Sequence, residues 1–572
     1  MYCYRNFSRS VLTFVLAIPA LAMAAGAEVP VIAVSSQGTS NANSAEANDP
    51  SVIFYNPAGM ARLRGKQVSQ PFALIAASTR VKDTGTTRVQ DMGQAPDTGP
   101  TADCSVYDCM NAANPDPSMP AVEPQPRGIF PAILPVAAFF ASRQLNDDVT
   151  VGIGVFSPGG GNLNYKSTWF GRYFIDSAAI ETVNINPSLS IRLDDKHSVG
   201  MGVSAVLGHA KFRKPIDVNK VAPYLFKSII NANAGLLEQV NGHLVGGLLP
   251  TGAVAPVLEQ LAAIVPNAVK EALIPLFSGG GLPLPEQISS ALDPVLSNTH
   301  FVDPGSTSSA KVETYGAGYG WNLGYMYQFS DSTRLGISYR SESAIRMKGE
   351  LDWDFSNLKT GTLGGVVVGD VAELLETYYR PDTDARLVFT IPAKLNVGFF
   401  TSLTDKLDLM LNYTFNKTSV VKSLDIELPN QKTDTKQGPI RLAQNWRDSF
   451  TMAVGFNYHW NDKLTLRTGL QFDQTPVSGP ANRHPGLADN DRWMTSLGLG
   501  YQWDKNTSID LAYSYLYILP GDANYHERCT GTYYEDSSSQ GPSECTADGG
   551  TFRARFYDSH AHILGLQLNK RF

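Results

Sequence analysis

Near the end of the chain, apolar Leu564, Leu566, Leu568 and Phe572 alternate with Gly565, Gln567, Asn569 and Arg571. Leu497, Leu499, Tyr501 and Trp503 alternate with Ser496, Gly498, Gly500 and Gln502. Trp321, Leu323, Tyr325, Tyr327 and Phe329 do the same against Asn322, Gly324, Met326 and Gln328, as do Leu407 to Phe415 and Phe450 to Trp460. A period of two held over about ten residues is a strand with one apolar and one polar face. A soluble sandwich also alternates. Many long strands, with aromatics such as Tyr458, Trp460 and Trp503 at their ends, point to a barrel with lipid outside and a polar lumen.

The pattern predicts strands near 66–82, 128–142, 148–157, 178–193, 197–213, 311–329, 333–348, 384–402, 406–422, 443–460, 463–474, 491–504, 507–519 and 558–572. Fourteen is an even number, as an antiparallel barrel requires. Short connections at Asn146-Asp147, Asp194-Asp195, Ser330-Asp331, Thr404-Asp405, Asn461-Asp462 and Asp504-Lys505 alternate with long ones, including 83–127, 214–310, 349–383 and 520–557. Short periplasmic turns and long extracellular loops fit an outer-membrane barrel. The expected fold is therefore all-β: a 14-stranded antiparallel transmembrane β-barrel spanning 66–572.

Two regions depart from the alternation. Residues 25–65 are small and irregular, and their apolar cluster Val52-Ile53-Phe54-Tyr55, followed by Asn56-Pro57-Ala58-Gly59, is expected to fold into the lumen as a hatch. In 214–310, Leu258, Leu261, Val265, Val269 and Leu276 recur at helical spacing, so this loop is read as partly helical.

Composition agrees. Of 572 residues only 17% are charged, 10% are aromatic and 50 are glycine. No apolar run of about 18 follows the first 30 residues, which excludes a helical membrane protein. The net charge of −7 argues against a nucleic-acid partner. Arg5 and Arg9, the apolar stretch Val11 to Leu21 and Ala22-Met23-Ala24 read as a signal peptide over 1–24. Its cleavage would remove Cys3 and leave Cys104, Cys109, Cys529 and Cys545. Three disulfide pairings are open to an exported protein, and the two local ones are favoured as loop staples. No histidine spacing supports a metal, and no motif calls for a cofactor.

A set of motifs carries a family resemblance: Asn56-Pro57-Ala58-Gly59-Met60-Ala61-Arg62-Leu63, Trp169-Phe170-Gly171-Arg172-Tyr173, Asn186-Pro187-Ser188-Leu189, Ile391-Pro392-Ala393-Lys394-Leu395, Trp446-Arg447-Asp448, Asp473-Gln474-Thr475-Pro476-Val477 and Asp491-Arg492-Trp493. In this order the chain resembles the outer-membrane long-chain fatty acid transporter (FadL) family, which includes relatives that take up aromatic hydrocarbons. The resemblance implies a barrel closed by an N-terminal hatch in the outer membrane of a Gram-negative bacterium. It also implies passive entry of a long-chain fatty acid or another hydrophobic small molecule. Capture among the outer loops would lead to a lumen site and then sideways through the wall into outer-membrane lipid. A terminal Phe572 is the mark by which such barrels meet the assembly machinery, and no feature demands an oligomer.

Candidate site residues follow. Pro158, Gly159, Gly160 and Gly161 should interrupt pairing after the third strand, because proline lacks a donor and glycine a side chain. Lys214 has inward parity, since Val199, Met201, Val203 and Leu207 mark the outward positions. Phe450, Met452 and Val454 give Arg441 and Arg447 inward parity on the same argument. A buried carboxylate needs a cation or several donors. The resemblance implies that role for Lys214 and, within one residue, for Arg441.

Other function classes leave weaker traces. No Gly-x-Ser-x-Gly elbow, His-Glu-x-x-His helix or phosphate loop is present, so an enzyme has no motif to rest on. A general porin would carry charged rings where this lumen parity is mostly Gly, Ser, Asn and Thr. Long loops leave an adhesin as an alternative.

Overall fold

The computed structural model describes residues 31–86, 132–165, 169, 171–216, 308–354, 361–363, 366–368, 383–429, 440–527 and 550–572. The expected signal peptide, the four cysteines and the helical stretches expected in 217–307 lie outside them.

Short turns are set by Asn and Asp side chains that cap their own backbone. Asn146 Oδ1 accepts from the N–H groups of Asp148 and Val149, at 3.0 and 2.8 Å. Asp194 accepts from Lys196 and His197 at 2.7 Å each, and these backbone bonds hold its carboxyl below the usual range. Asp504 does the same with Asn506.

Around these turns runs one closed antiparallel barrel of fourteen staves. The first staves are β1 (Lys66–Asp83), β2 (Ala132–Ala137) continued by β3 (Phe139–Gln144), and β4 (Val149–Phe156) with its outer piece β5 (Gly161–Asn164). Then come β6 (Ser177–Arg192), β7 (His197–Ile216), β8 (Ser308–Ser330), and β9 (Thr333–Arg340) with β10 (Ser343–Asp354). A separate hairpin pairs β11 (Gly361–Leu363) with β12 (Val366–Val368). The ring continues with β13 (Thr383–Ile391) and β14 (Lys394–Thr404), then β15 (Leu407–Asn416) and β16 (Ser423–Glu427). β17 (Ile440–Ala443) and β18 (Ser449–Asn461) form the tenth stave, followed by β19 (Leu464–Asp473) and β20 (Arg492–Asp504). β21 (Thr507–Ile518) with β22 (Gly521–His526), and finally β23 (Thr551–Arg571), complete it. β23 pairs with β1 from Gln67↔Arg571 to Asp83↔Ala554, which leaves no free edge.

Several staves expected to be continuous are broken. The eighth interrupts at Pro392-Ala393, where proline cannot donate to the ladder, and the tenth at 444–448, where Asn445 has φ +44°. Five staves reach well beyond the predicted ends, β10 to Asp354 and β23 back to Thr551 among them.

The alternation reads differently along a stave. On β7, Met201, Val203 and Leu207 are exposed toward lipid, while Ser198 and Ser204 are buried inside. Further out, the same faces exchange character: Lys211 is exposed and Phe212 buried. On β10, Ile345, Met347 and Leu351 are fully buried while Arg346, Lys348 and Glu350 are exposed. The barrel therefore projects beyond the hydrocarbon layer, and its outer end holds an apolar core.

Residues 31–63 pack inside the ring. They contain α1 (Val34–Gln37), α2 (Val52–Tyr55) and a 3₁₀ turn, Pro57–Arg62. Val34 N–H donates to Gln567 Oε1 (2.8 Å), Ser40 to Ser496 (2.8 Å) and Arg334 to the Ala45 and Glu46 carbonyls (2.6 and 2.7 Å), so the segment is tied to well-separated staves. Close approach needs wall glycines. A Cβ at Gly200 would stand 2.7 Å from the Pro57 carbonyl oxygen, and one at Gly152 would meet Ile53 and Met60.

Candidate functional site

The outer apolar core is the first part of the candidate site. Phe212, Met347, Leu387, Phe389, Ile426 and Phe552 belong to it, contributed by five different staves. The connection after β5 adds Tyr165 and Trp169, whose rings stack at 3.7 Å, and Trp169 meets Phe552 edge-on at 5.7 Å. Trp169 Nε1 donates to the Ile175 carbonyl and Tyr165 Oη to the Pro485 carbonyl, so both aromatic residues are oriented by their polar atoms. Each side chain of this size gains about 1.5–3 kcal/mol by leaving water.

The second part is a fault in the wall. β3 pairs with β4 from Gln144↔Thr150 to Phe139↔Val155. Beyond that, β2 pairs with β1 and β5 with β6, and among the described residues no ladder joins β2 to β5. On the other side, Phe156 pairs with Asn184 and Gly161 with Ile180, so four residues, 157–160, face three, 181–183. This extra residue is a bulge. Gly159 N–H donates to Thr182 Oγ1 at 3.3 Å, and Thr182 Oγ1 donates back to the Gly159 carbonyl. The bulge is buried, and Pro158 lines a lumen cavity together with Phe389, Ile391, Pro392 and Trp446 of other staves. The third stave is interrupted at 157–160, whereas Gly161, expected within the break, already pairs with Ile180.

The third part lies between this cavity and the N-terminal segment. A cavity of about 110 Å³ is lined by Phe54, Tyr55, Arg340, Lys394, Asn412 and Arg492, among others. The two cavities share Lys394, Asn416, Asp473 and Arg492. Arg492 is held by Asp473, with Nη2 at 2.6 Å and Nε at 2.8 Å. Asp489, on the connection between β19 and β20, lies 3.6 Å from Arg492 and accepts from Thr475 Oγ1 at 2.9 Å. Burial outweighs both and pushes its carboxyl up to about 6. His484 on the same connection is buried and pushed down to about 3 by desolvation and then by the charge of Lys214. It stays neutral, with Nδ1 accepting from Gly486 N–H at 2.9 Å.

The predicted site residues meet different fates. Asn56, Pro57 and Ala58 form an anchor. Asn56 Oδ1 accepts from Ala58 N–H at 3.1 Å, its Nδ2 donates to the Tyr325 carbonyl at 3.1 Å, and Pro57 starts the 3₁₀ turn. Lys214 has its inward parity, but its Nζ lies 2.7 Å from the buried Glu527, so its charge is already answered. Arg447 lines neither cavity. It is exposed, sits before β18 begins, and donates Nε to the Thr475 carbonyl. Arg441 lies on β17, where it stands in register with Asp425. The break at 444–448 resets the alternation between β17 and β18, so parity cannot be carried across it. Arg340 was not anticipated; neither period nor motif marks it.

Residues 15–572 match the family described as outer membrane protein transport protein (OMPP1/FadL/TodX). An outer membrane protein of Neisseria meningitidis serogroup B is 25% identical over 541 residues, 94% of this chain and 93% of that protein. The long-chain fatty acid transport protein of Escherichia coli K12 is 23% identical over 373 residues, 65% of this chain and 68% of its own length. Among solved structures, a Pseudomonas aeruginosa FadL homologue superimposes with a TM-score of 0.64 at 19% identity, covering 96% of this chain and 100% of that one. The Ralstonia pickettii toluene transporter TbuX gives 0.52 at 17% identity, covering 95% and 99%.

Proposed function

We infer function from one premise: the chain belongs to the outer membrane protein transport protein family (OMPP1/FadL/TodX), and is thus an outer-membrane β-barrel of a family that transports hydrophobic compounds. We propose that its cargo is a long-chain fatty acid or a similar amphipathic chain. The cargo is captured in the outer apolar core, passes to the lumen cavities, and leaves sideways into the membrane between β2 and the bulge at 157–160. Residues 31–63 act as the hatch that keeps the lumen closed to water-soluble solutes. A sideways exit suits the chemistry, because each CH₂ drawn through an aqueous pore costs about 0.8 kcal/mol.

The missing ladder between β2 and β5 carries this reading. Its test is to remove the fault: deleting Gly160 and changing Pro158 to Val gives three residues opposite three, so the third stave can run straight. Binding of palmitate to the purified protein should persist while uptake by cells is lost. Unchanged uptake in a protein with a continuous third stave would overturn the exit route.

Uptake of aromatic hydrocarbons is the second reading. It is favoured by the aromatic lining Trp169, Phe174, Phe552 and Phe556 of the outer core. Competition between labelled palmitate and toluene for uptake separates the two.

A further inference from the structure

Several arginines of the barrel wall bear on the lumen, among them Arg192, which donates to the Ala61 carbonyl at 2.7 Å. Arg467 faces Asp510 at 2.5 Å, Arg492 faces Asp473 at 2.6 Å, and Arg334 gives its donors to two carbonyls of the N-terminal segment while lying over the Phe400 ring. Arg340 differs. It ends β9 beside the break at Ser341-Glu342, and its Nη2 donates to the Phe54 carbonyl at 3.0 Å. Its Cζ lies 5.1 Å from the Phe54 ring and 5.5 Å from the Phe156 ring, and the two rings meet edge-on at 5.0 Å. Its Nη1 is buried with no hydrogen-bond partner, and among the described residues no carboxylate lies within ion-pair distance of its guanidinium.

Aromatic faces attract a cation but do not satisfy its N–H groups. A buried, unfilled donor on a charged group is costly, and an anion removes that cost with a short, charge-assisted bond. Arg340 lines the 110 Å³ cavity, whose other lining includes the donor-bearing Lys394, Asn396 and Asn412. The adjoining cavity supplies Phe389, Ile391 and Trp446 for a hydrocarbon chain, with Pro158 of the bulge at its edge. Phe156, under the guanidinium, is the last residue before that bulge.

We propose that Arg340 is the head-group station of the lumen: it binds the carboxylate of a fatty acid whose chain lies among Phe389, Ile391 and Trp446, at the threshold of the wall fault. This rests on the transporter reading and adds to it a chemical selectivity, for an anionic amphiphile over a neutral one. The station is distinct from Lys214, whose cation already faces Glu527.

The test compares palmitate and 1-hexadecanol binding to the detergent-purified full chain, as wild type, Arg340→Gln and Arg340→Lys. Arg340→Gln should weaken palmitate about ten-fold or more, the value of one charge-assisted bond, while hexadecanol changes little. Arg340→Lys should recover part of the loss. Equal loss for both ligands would make Arg340 a latch for Phe54 and overturn the proposal, as would no loss for either. If wild type binds neither ligand, the fatty-acid reading on which the station rests itself fails. If it binds both and Arg340→Gln changes nothing, only the station fails. Should Arg340→Gln not assemble, a wild-type structure with palmitate decides: a carboxylate oxygen about 3 Å from Nη1 supports the station, and a carboxylate elsewhere overturns it.

Discussion

The hydroxyl of Ser190 donates to the carbonyl oxygen of Ala58 over 3.0 Å, joining the fourth stave to the N-terminal segment. Ser198 on the next stave reaches the same oxygen at 3.1 Å. Both of that carbonyl's acceptor positions are thus filled by wall hydroxyls, in a place where Ala58 is fully buried. Changing both serines to Ala leaves a buried acceptor unfilled, a cost of about 1–3 kcal/mol. The double variant should still form a barrel but hold its hatch less firmly. In planar bilayers we expect more frequent open steps than for wild type. Identical traces would mean that the anchor does not hold the hatch.

Gly200 offers the same test by steric means. Its added Cβ would stand 2.7 Å from the Pro57 carbonyl oxygen and closer still to neighbouring backbone. Backbone cannot swing aside as a long side chain can, so the segment 57–58 must shift. Gly200→Ala should raise conductance and shorten the time proteases need to cut the hatch, with little change in the heat-modified migration that reports the barrel.

Lys214 and Glu527 form an ion pair in which Glu527 is only 2% exposed. Removing one partner of a buried pair is typically worth about 3–5 kcal/mol, whereas replacing both with apolar groups is near neutral. Lys214→Met should therefore lower stability against urea in lipid vesicles, and Lys214→Met with Glu527→Leu should restore most of it. A double variant as unstable as the single one would mean that Lys214 contributes through packing and not charge.

These examples also mark what could be read from the chain alone. The barrel was legible because each stave in the membrane sees two uniform media, so Met201 and Val203 against Ser198 and Ser204 suffice to fix a face. The interruption at Pro158 was legible because its cause, a missing donor, is local. The exchange of faces further out was present in Ile345-Arg346-Met347-Lys348 but needs the membrane boundary to be interpreted. Parity read from β18 does not reach Arg441, because Asn445, with φ +44°, ends one run of alternation before the next begins. Glu527 stands 313 residues from Lys214, and no period connects them. Arg340 is the extreme case. Its interest lies in a partner it does not have, and only the assembled lumen reveals that.

Asp489 makes the stability of the outer end depend on pH in an uncommon direction. Its carboxyl is raised to about 6 from an ordinary 3.8, chiefly by burial, with Arg492 and the Thr475 hydroxyl opposing. Between these two values the folded chain holds a proton that the unfolded chain releases, so this group's contribution falls as pH rises. The contribution is fully present below about pH 4, is lost on the way to pH 6, and is constant above that. His484 nearby stays neutral in the folded chain while the unfolded imidazole takes up a proton below about pH 6.5, so it adds a slope of the opposite sign, which both proteins share and which cancels in their difference. Asp489→Asn removes the titration while keeping an acceptor for Thr475, and Arg492 keeps Asp473. The stability of the variant relative to wild type should therefore rise from pH 4 to 6.5, by up to about 3 kcal/mol for two pK units, and stay level from pH 7 to 9. Urea unfolding of both proteins in vesicles across that range measures the difference. A difference that is flat from pH 4 to 8 would mean that Asp489 titrates as an exposed carboxylate and that the connection between β19 and β20 admits water.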